Sequence, residues 1–115
     1  SVFSADVMAE SPLTEGVKSI IVVSGWPVTP VIPEAQLLVS SRPDTWLTEA
    51  GDQQPVPPAD AQFASCGVVG VANIGKGRVI VSGDDAIFAN LAINEADNAR
   101  LLDNIIGLMT AAMEI

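Results

Sequence analysis

Two adjacent carboxylates are the first candidates for chemistry in this sequence. Asp84 and Asp85 follow a β-type run and precede a segment of helical character, so they are expected at the carboxyl end of a strand, where α/β folds place ligands. With a carbonyl oxygen from Asn90 or Asn94, they would offer the hard oxygen ligands that Ca²⁺ or Mg²⁺ takes. The structural alternative is that Asp84 caps the short helix. Because the spacing lacks the EF-hand pattern, we expect the structural role and predict no metal site.

The single cysteine, Cys66, is a candidate for nucleophilic catalysis. The chain contains no His that could act as its base, and the residues from Gly67 onward predict a strand rather than the helix of a nucleophile elbow. We therefore expect a small buried structural cysteine, no catalytic residues, no cofactor and no enzymatic activity.

Two tryptophans are candidates for ligand binding. Trp26 lies among prolines and Trp46 ends a turn, and either could form a platform for a sugar ring or a Pro-rich peptide. The alternative is that each covers one end of the core. Ser40 and Ser41, together with both tryptophans and the Asp84-Asp85 pair, complete the predicted ligand-binding set. Lys76 and Arg78 are expected on a solvated turn.

Composition limits the classes of partner. The chain has 115 residues, 14 acidic against 5 basic side chains and a net charge of -9, with 49% hydrophobic residues. This predicts one folded domain, and the acidic balance argues against nucleic acid and anionic membrane surfaces. No apolar run approaches the ~20 residues needed to cross a bilayer, so no membrane insertion is expected. The sequence does not determine the cellular compartment, although it favours an extracytoplasmic location over the cytoplasm.

The elements that must position these residues follow from local patterns. The β-branched run ending at Val23 predicts a strand buried on both faces, and residues 36–41 predict a second strand. Apolar runs on either side of Gly75-Lys76-Gly77 predict a C-terminal β-hairpin over about 67–82. We expect a short helix from Asp84 to about Leu91.

The last predicted element is an amphipathic helix over about 95–113. Asn94 is its expected N-cap, and Leu102, Ile105, Ile106 and Met109 form its expected buried stripe. Asp97, Asn98 and Asn104 are expected to hydrogen-bond the Gly83-Asp84 loop and so tie the helix to the sheet. The combined elements predict an α/β fold with a partly parallel sheet.

Three segments together form a recognisable pattern: residues 11–17 (SPLTEGV), residues 37–46 (LLVSSRPDTW) and residues 75–84 (GKGRVIVSGD), the last followed by Asn90 and residues 97–104. In this order they resemble glutamine-amidotransferase-like domains that lack the catalytic triad, as in gliding-motility-type ABC-transporter auxiliary proteins and their uncharacterised relatives. Two features depart from the family pattern: Ser11 stands where the family has His, and the family's N-terminal βαβα half is absent. The resemblance implies either a single domain over 1–115 or the C-terminal half of a larger amidotransferase-like domain.

The function expected from these observations is non-enzymatic. The missing triad and the resemblance imply an interaction or ligand-sensing module associated with a transporter or cell-surface assembly. Its expected partner is another protein or a second copy of the chain, with a small molecule or sugar as a further candidate ligand. The alternative is a divalent-metal-dependent enzyme that uses Asp84 and Asp85.

Overall fold

Antiparallel pairing organises all the strands of the described chain. The computed structural model describes residues 2–23, 25–48 and 56–113. Five strands form one curled sheet in the order β2-β1-β3-β4-β5, in which every neighbouring pair is antiparallel. The strands are β1 (Val2–Val7), β2 (Ser19–Val23), β3 (Ala35–Ser41), β4 (Gly67–Ile74) and β5 (Gly77–Ser82), and the helix α1 (Asn98–Met113) follows them.

The predicted partly parallel sheet is therefore wrong. Neighbouring parallel strands need a crossover of a dozen or more residues, usually containing a helix. In the described chain the only α-helix comes after all five strands, and the segment between β2 and β3 carries Pro27, Pro30 and Pro33, which disfavour a helix there. Without crossover helices, successive strands join as hairpins or return through extended loops.

The C-terminal hairpin is present at the predicted place. Ile74 pairs with Gly77 across the two-residue turn, and the register continues to Val69 opposite Ser82. Gly75 has a φ of +59°, which suits the first central position of a type II′ turn. Glycine readily adopts this positive φ, so a glycine between two apolar runs is a local signal for a tight turn. This signal allowed the hairpin to be predicted from the sequence.

β2 is an edge strand rather than a strand buried on both faces. Ile20 and Val22 are fully buried, whereas Ile21 and Val23 are only half-buried. The buried side chains of β1, β2 and β3 pack with two short 3-10 helices, Pro12–Thr14 and Ala86–Phe88, and with α1. The same core also takes buried valines from β4, and Ile80 of β5 packs against it. β5 is the other edge strand of the sheet.

The helical region departs from the predictions in two ways. The expected helix over 84–91 is only the 3-10 helix Ala86–Phe88, and α1 begins at Asn98 rather than near residue 95. Within α1, Leu101 is buried and Ile105 is half-buried, but Ile106 and Met109 are exposed. The buried stripe is rotated toward Asn98 and Leu101, because the helix packs mainly on the 3-10 helices and less on the sheet. No helix in the described ranges is long and apolar enough to span a membrane.

Candidate functional site

Asp84 is a buried structural carboxylate. Its Oδ2 accepts the backbone N–H of Val23 at 2.7 Å, and its Oδ1 accepts that of Ala86 at 2.9 Å. One side chain thus joins the end of β2 to the start of the second 3-10 helix. Asp85 is exposed, and the described residues contain no group of three or more potential metal ligands around the pair. The expected capping of the short helix corresponds to the bond at Oδ1, whereas the bond from Val23 to Oδ2 was not predicted.

Ser40 and Ser41 are buried in a polar network at the end of β3. The Ser40 hydroxyl donates to the Cys66 carbonyl at 3.1 Å, and Ser41 Oγ accepts the Cys66 N–H at 2.8 Å. Ser41 also lies 2.7 Å from the hydroxyl of Thr45, which donates to the Ala64 carbonyl. These bonds fasten the segment before β4 to β3, so both serines are committed to the fold. Cys66 itself is half-buried rather than fully buried.

The two tryptophans have different surroundings. Trp46 packs edge-on against Phe63, with ring centroids 5.9 Å apart, and the two residues form an isolated antiparallel bridge. Trp26 is 67% exposed and belongs to the proline-rich segment after β2. The predicted ligand-binding residues therefore do not converge on one site: the serines and Asp84 hold the fold, and of the pair of tryptophans Trp26 is the more exposed.

Side chains from distant parts of the sequence close the outer edge of β2. Asn98 is fully buried: its Oδ1 accepts the N–H of Ile21 at 2.9 Å, and its Nδ2 donates to the Ile21 carbonyl at 3.0 Å. Asp97 accepts the N–H groups of Lys18 and Ser19, and its own N–H donates to the Ser19 carbonyl. Asp84 also accepts the N–H of Val23. Together, Asp84, Asp97 and Asn98 bond the outward backbone groups at the edge of β2, as a neighbouring strand would.

These contacts correct the predicted partner of the helix start. Asp97 and Asn98 do tie α1 to the sheet, but they bind β2 instead of the Gly83-Asp84 loop. Asn104 binds the carbonyls of Leu13 and Glu15. The pKa of Asp97 lies below its ordinary value because the backbone N–H groups of Lys18 and Ser19 stabilise the carboxylate.

The edge of β5 is open. Ile74 and Gly77 flank the two-residue turn, and the Gly83 N–H donates to Val68 at 2.8 Å, so alternate residues of β5 bond β4. The alternation turns the N–H and C=O groups of Arg78, Ile80 and Ser82 away from β4. Among the residues that the structure describes, none bonds these outward groups. Within the described ranges the two edges of the sheet are thus unequal, because the β2 edge has hydrogen-bond partners and the β5 edge has none.

The proline-rich segment, residues 25–34, crosses one face of the sheet beside this open edge. The backbone N–H of Trp26 donates to the Gly83 carbonyl at 2.8 Å, and the backbone N–H of Val28 donates to the Gly67 carbonyl at 2.9 Å. A Cβ at Gly67 would collide with the Val28 carbonyl, and one at Gly83 would collide with the Trp26 carbonyl. Glycine is required at both positions because the segment lies directly on the sheet backbone.

An apolar groove results between this segment and the last two strands. Val79 and Val81 oppose Ala72 and Gly70, so all four share one face of the hairpin. The groove has a volume of about 180 Å³, and Val79 and Val81 remain 49% and 46% exposed. It is lined by Val28, Thr29, Pro30, Val31, Ile32, Ala35, Gln36, Gly70, Val71, Ala72, Val79 and Val81.

The sequence predictions missed this groove, although two signals for it are present. Prolines recur at every third position from Pro27 to Pro33 with mostly apolar residues between them, and β5 carries Val79 and Val81 on one face. An extended apolar segment and a half-exposed strand are each recognisable locally. Their juxtaposition depends on contacts with Gly67 and Gly83, which are distant in sequence from the segment.

Comparison with protein-family models, with curated proteins and with solved structures finds no match for this chain. The resemblance to glutamine-amidotransferase-like domains therefore stays a prediction that rests on the three sequence segments. Among the described residues, the features that bear on function are the outward edge of β5 and the apolar groove beside it.

Proposed function

We propose that this protein is a non-enzymatic interaction module that binds an extended segment of a protein partner along β5. The observation that carries the proposal is the inequality of the two sheet edges. Exposed edge strands are sites for pairing with another chain, and proteins usually close them. Here Asp84, Asp97 and Asn98 close the β2 edge, while no residue in the described ranges bonds the outward backbone groups of β5, which lie beside an apolar groove.

The addition of a partner strand to β5 would use both its outward backbone groups and the apolar groove beside it. An added strand would bond the outward backbone groups of Arg78, Ile80 and Ser82, and its alternate side chains would lie beside Val79 and Val81 on the groove face. Backbone bonds supply affinity in this mode, and the groove supplies selectivity for apolar side chains. A transporter- or surface-associated setting, which the resemblance implies, is compatible with such a module.

A small-molecule or sugar ligand has less support. Ligand pockets usually enclose roughly 300–1,000 Å³ and carry a few convergent polar groups. This groove has about 180 Å³ and is open and predominantly apolar, with Thr29 and Gln36 as its only polar side chains. A metal-dependent enzyme built on Asp84 and Asp85 also has less support, because both oxygens of Asp84 already accept backbone N–H groups.

Panning a displayed library of random extended peptides against the protein tests the proposal. The test variant is Arg78→Pro, which removes an outward N–H without removing a bond to β4, and Arg78→Ala is its matched control. We expect selected peptides to alternate apolar residues, to bind wild type and Arg78→Ala similarly, and to bind Arg78→Pro at least about tenfold more weakly. No enrichment, or binding that Arg78→Pro leaves unchanged, would refute strand addition at β5.

A further inference from the structure

We propose that the segment bound at β5 is the β5 strand of a second copy of this chain, in a twofold antiparallel pair centred on Ile80. This inference rests on the proposed function and names the partner of the same edge. The allowed register, the apolar face and the charges at the two ends of β5 all favour this pairing.

The direction of the backbone groups restricts the register. Because Arg78, Ile80 and Ser82 carry the outward N–H and C=O groups, each must pair with one of these same three residues in a second copy. Centring the twofold axis on Ile80 places Ile80 opposite the partner's Ile80 and Arg78 opposite the partner's Ser82. All three outward residues are then used, and the interface is self-complementary, as twofold symmetry requires.

The same register matches the exposed apolar side chains. Val79 falls opposite the partner's Val81, and Val81 falls opposite the partner's Val79. Both valines lie on the groove face and are about half-exposed in the single chain. These are non-hydrogen-bonded pairs, in which opposed side chains approach most closely, so β-branched residues pack well there. The two grooves would then form one continuous apolar surface across the axis.

Charge complementarity favours a second copy over an unrelated strand. Lys76, in the turn before β5, and Arg78, near the start of β5, are two of the five basic residues, and Asp84 and Asp85 follow the end of the strand. Asp84 is buried and both of its oxygens accept backbone N–H groups, so Asp85, which is exposed, is the acidic side chain available there. The antiparallel register places the basic start of one β5 near the partner's Asp85, and twofold symmetry repeats the contact. The net charge of -9 opposes association, but charges separated by more than ~8 Å are largely screened at physiological ionic strength.

Disulfide trapping tests this register directly. In a Cys66→Ala background, Val79→Cys and Val81→Cys are prepared separately, then oxidised alone and as a mixture. We expect a covalent dimer only in the mixture, since the register opposes position 79 to position 81. A covalent dimer of Val79→Cys alone or Val81→Cys alone overturns the pairing centred on Ile80. Asp103→Cys on the exposed side of α1 is the control for random collision and should remain monomeric.

Sedimentation equilibrium tests the charge contact without cysteine chemistry. Lys76→Glu should raise the dimer dissociation constant roughly threefold to tenfold, because two symmetric contacts are lost, and adding Asp85→Lys should restore part of the affinity. Both side chains are exposed, so thermal melts of these variants should match wild type. Equal dissociation constants for wild type and Lys76→Glu overturn the inference.

The failure of this inference can be told apart from the failure of the proposed function. A wild-type chain that stays monomeric at several hundred micromolar, with no covalent dimer in the cysteine mixture, overturns self-pairing. If the peptide library still yields binders that depend on the Arg78 N–H, strand addition at β5 stands and the partner is a different protein. If both fail, the edge is not an interaction site.

Discussion

Asn98 makes the central contacts that close the β2 edge of the sheet. Its side chain is fully buried and bonds both backbone groups of Ile21, and its Nδ2 also donates to the carbonyls of Ile87 and Ala92. A single amide thus joins β2, the second 3-10 helix and the turn before α1. No buried side-chain nitrogen or oxygen among the described residues lacks a hydrogen-bond partner, so this network is fully satisfied.

Replacing Asn98 with Ala should destabilise the protein by about 3 kcal/mol or more. The substitution leaves several buried backbone groups without a partner, and each such group costs about 1–3 kcal/mol. Urea unfolding measures the change, and Asn94→Ala, on an exposed side chain with no hydrogen bond in the described chain, should change stability by about 0.5 kcal/mol or less. Similar losses for the two variants would contradict the assigned role.

Asp97 should make the free energy of unfolding depend on pH in the acidic range. Its folded-state pKa lies below the unfolded value of about 3.9, so its contribution is present above that value and is lost as the pH falls through the folded pKa. Wild type should therefore lose stability below about pH 4 more steeply than Asp97→Asn, which cannot titrate. Urea melts at a series of pH values compare the slopes, and equal slopes would show that the N–H groups of Lys18 and Ser19 do not stabilise the carboxylate.

At the scale of elements, α1 has one packed side and one free side. Leu101→Ala should destabilise the protein by about 2–5 kcal/mol, because it removes a fully buried side chain and leaves a cavity. Ile106→Ala should cost less than about 1 kcal/mol, because Ile106 is 52% exposed. Thermal melts of these two variants test which side of α1 is packed. A larger loss of stability for Ile106→Ala than for Leu101→Ala would mean that the opposite side of the helix faces the core.

The proline-rich segment is held by backbone contact, and a glycine substitution tests this. Gly83→Ala should destabilise the protein by roughly 1–3 kcal/mol, because the new methyl group collides with the Trp26 carbonyl and displaces the segment. Gly107→Ala is the matched control: a Cβ there meets no atom within 4 Å, so the change should stabilise α1 by about 0.5–1 kcal/mol. Equal melting temperatures for wild type and Gly83→Ala would show that the segment does not depend on this contact.

Across the whole molecule, the unequal edges should appear in amide hydrogen exchange. The N–H groups of Ile21 and Val23 should be protected, because Asn98 and Asp84 accept them. The N–H groups of Arg78 and Ile80 should exchange rapidly in dilute protein and slow as self-pairing sets in at higher concentration. Protection at β5 that does not change with concentration would mean that the edge is already closed within one chain.

Local sequence patterns located several elements correctly. The β-branched run at Ile20–Val23, the strand ending at Ser41 and the hairpin around Gly75 are all strands in the structure, and the C-terminal apolar period is a helix. These elements could be predicted because β-branched content, a glycine suited to positive φ and a helical period act over a few neighbouring residues. Their residue types also indicated structural roles for Asp84, Asp97 and Asn98, but the predicted partner of Asp97 and Asn98, the Gly83-Asp84 loop, is wrong, because both bond the β2 edge.

Only the tertiary structure decided which strands are neighbours, which edge is closed and where the groove lies. The bonds of Asn98 to Ile21 join residues 77 positions apart, and no local pattern specifies such a pairing. The same side chains would suit a parallel or an antiparallel sheet, because strand propensity does not encode direction. Strand direction and edge closure are set by the connections and by the need to satisfy every buried backbone group, and that need is met only when the whole chain has folded.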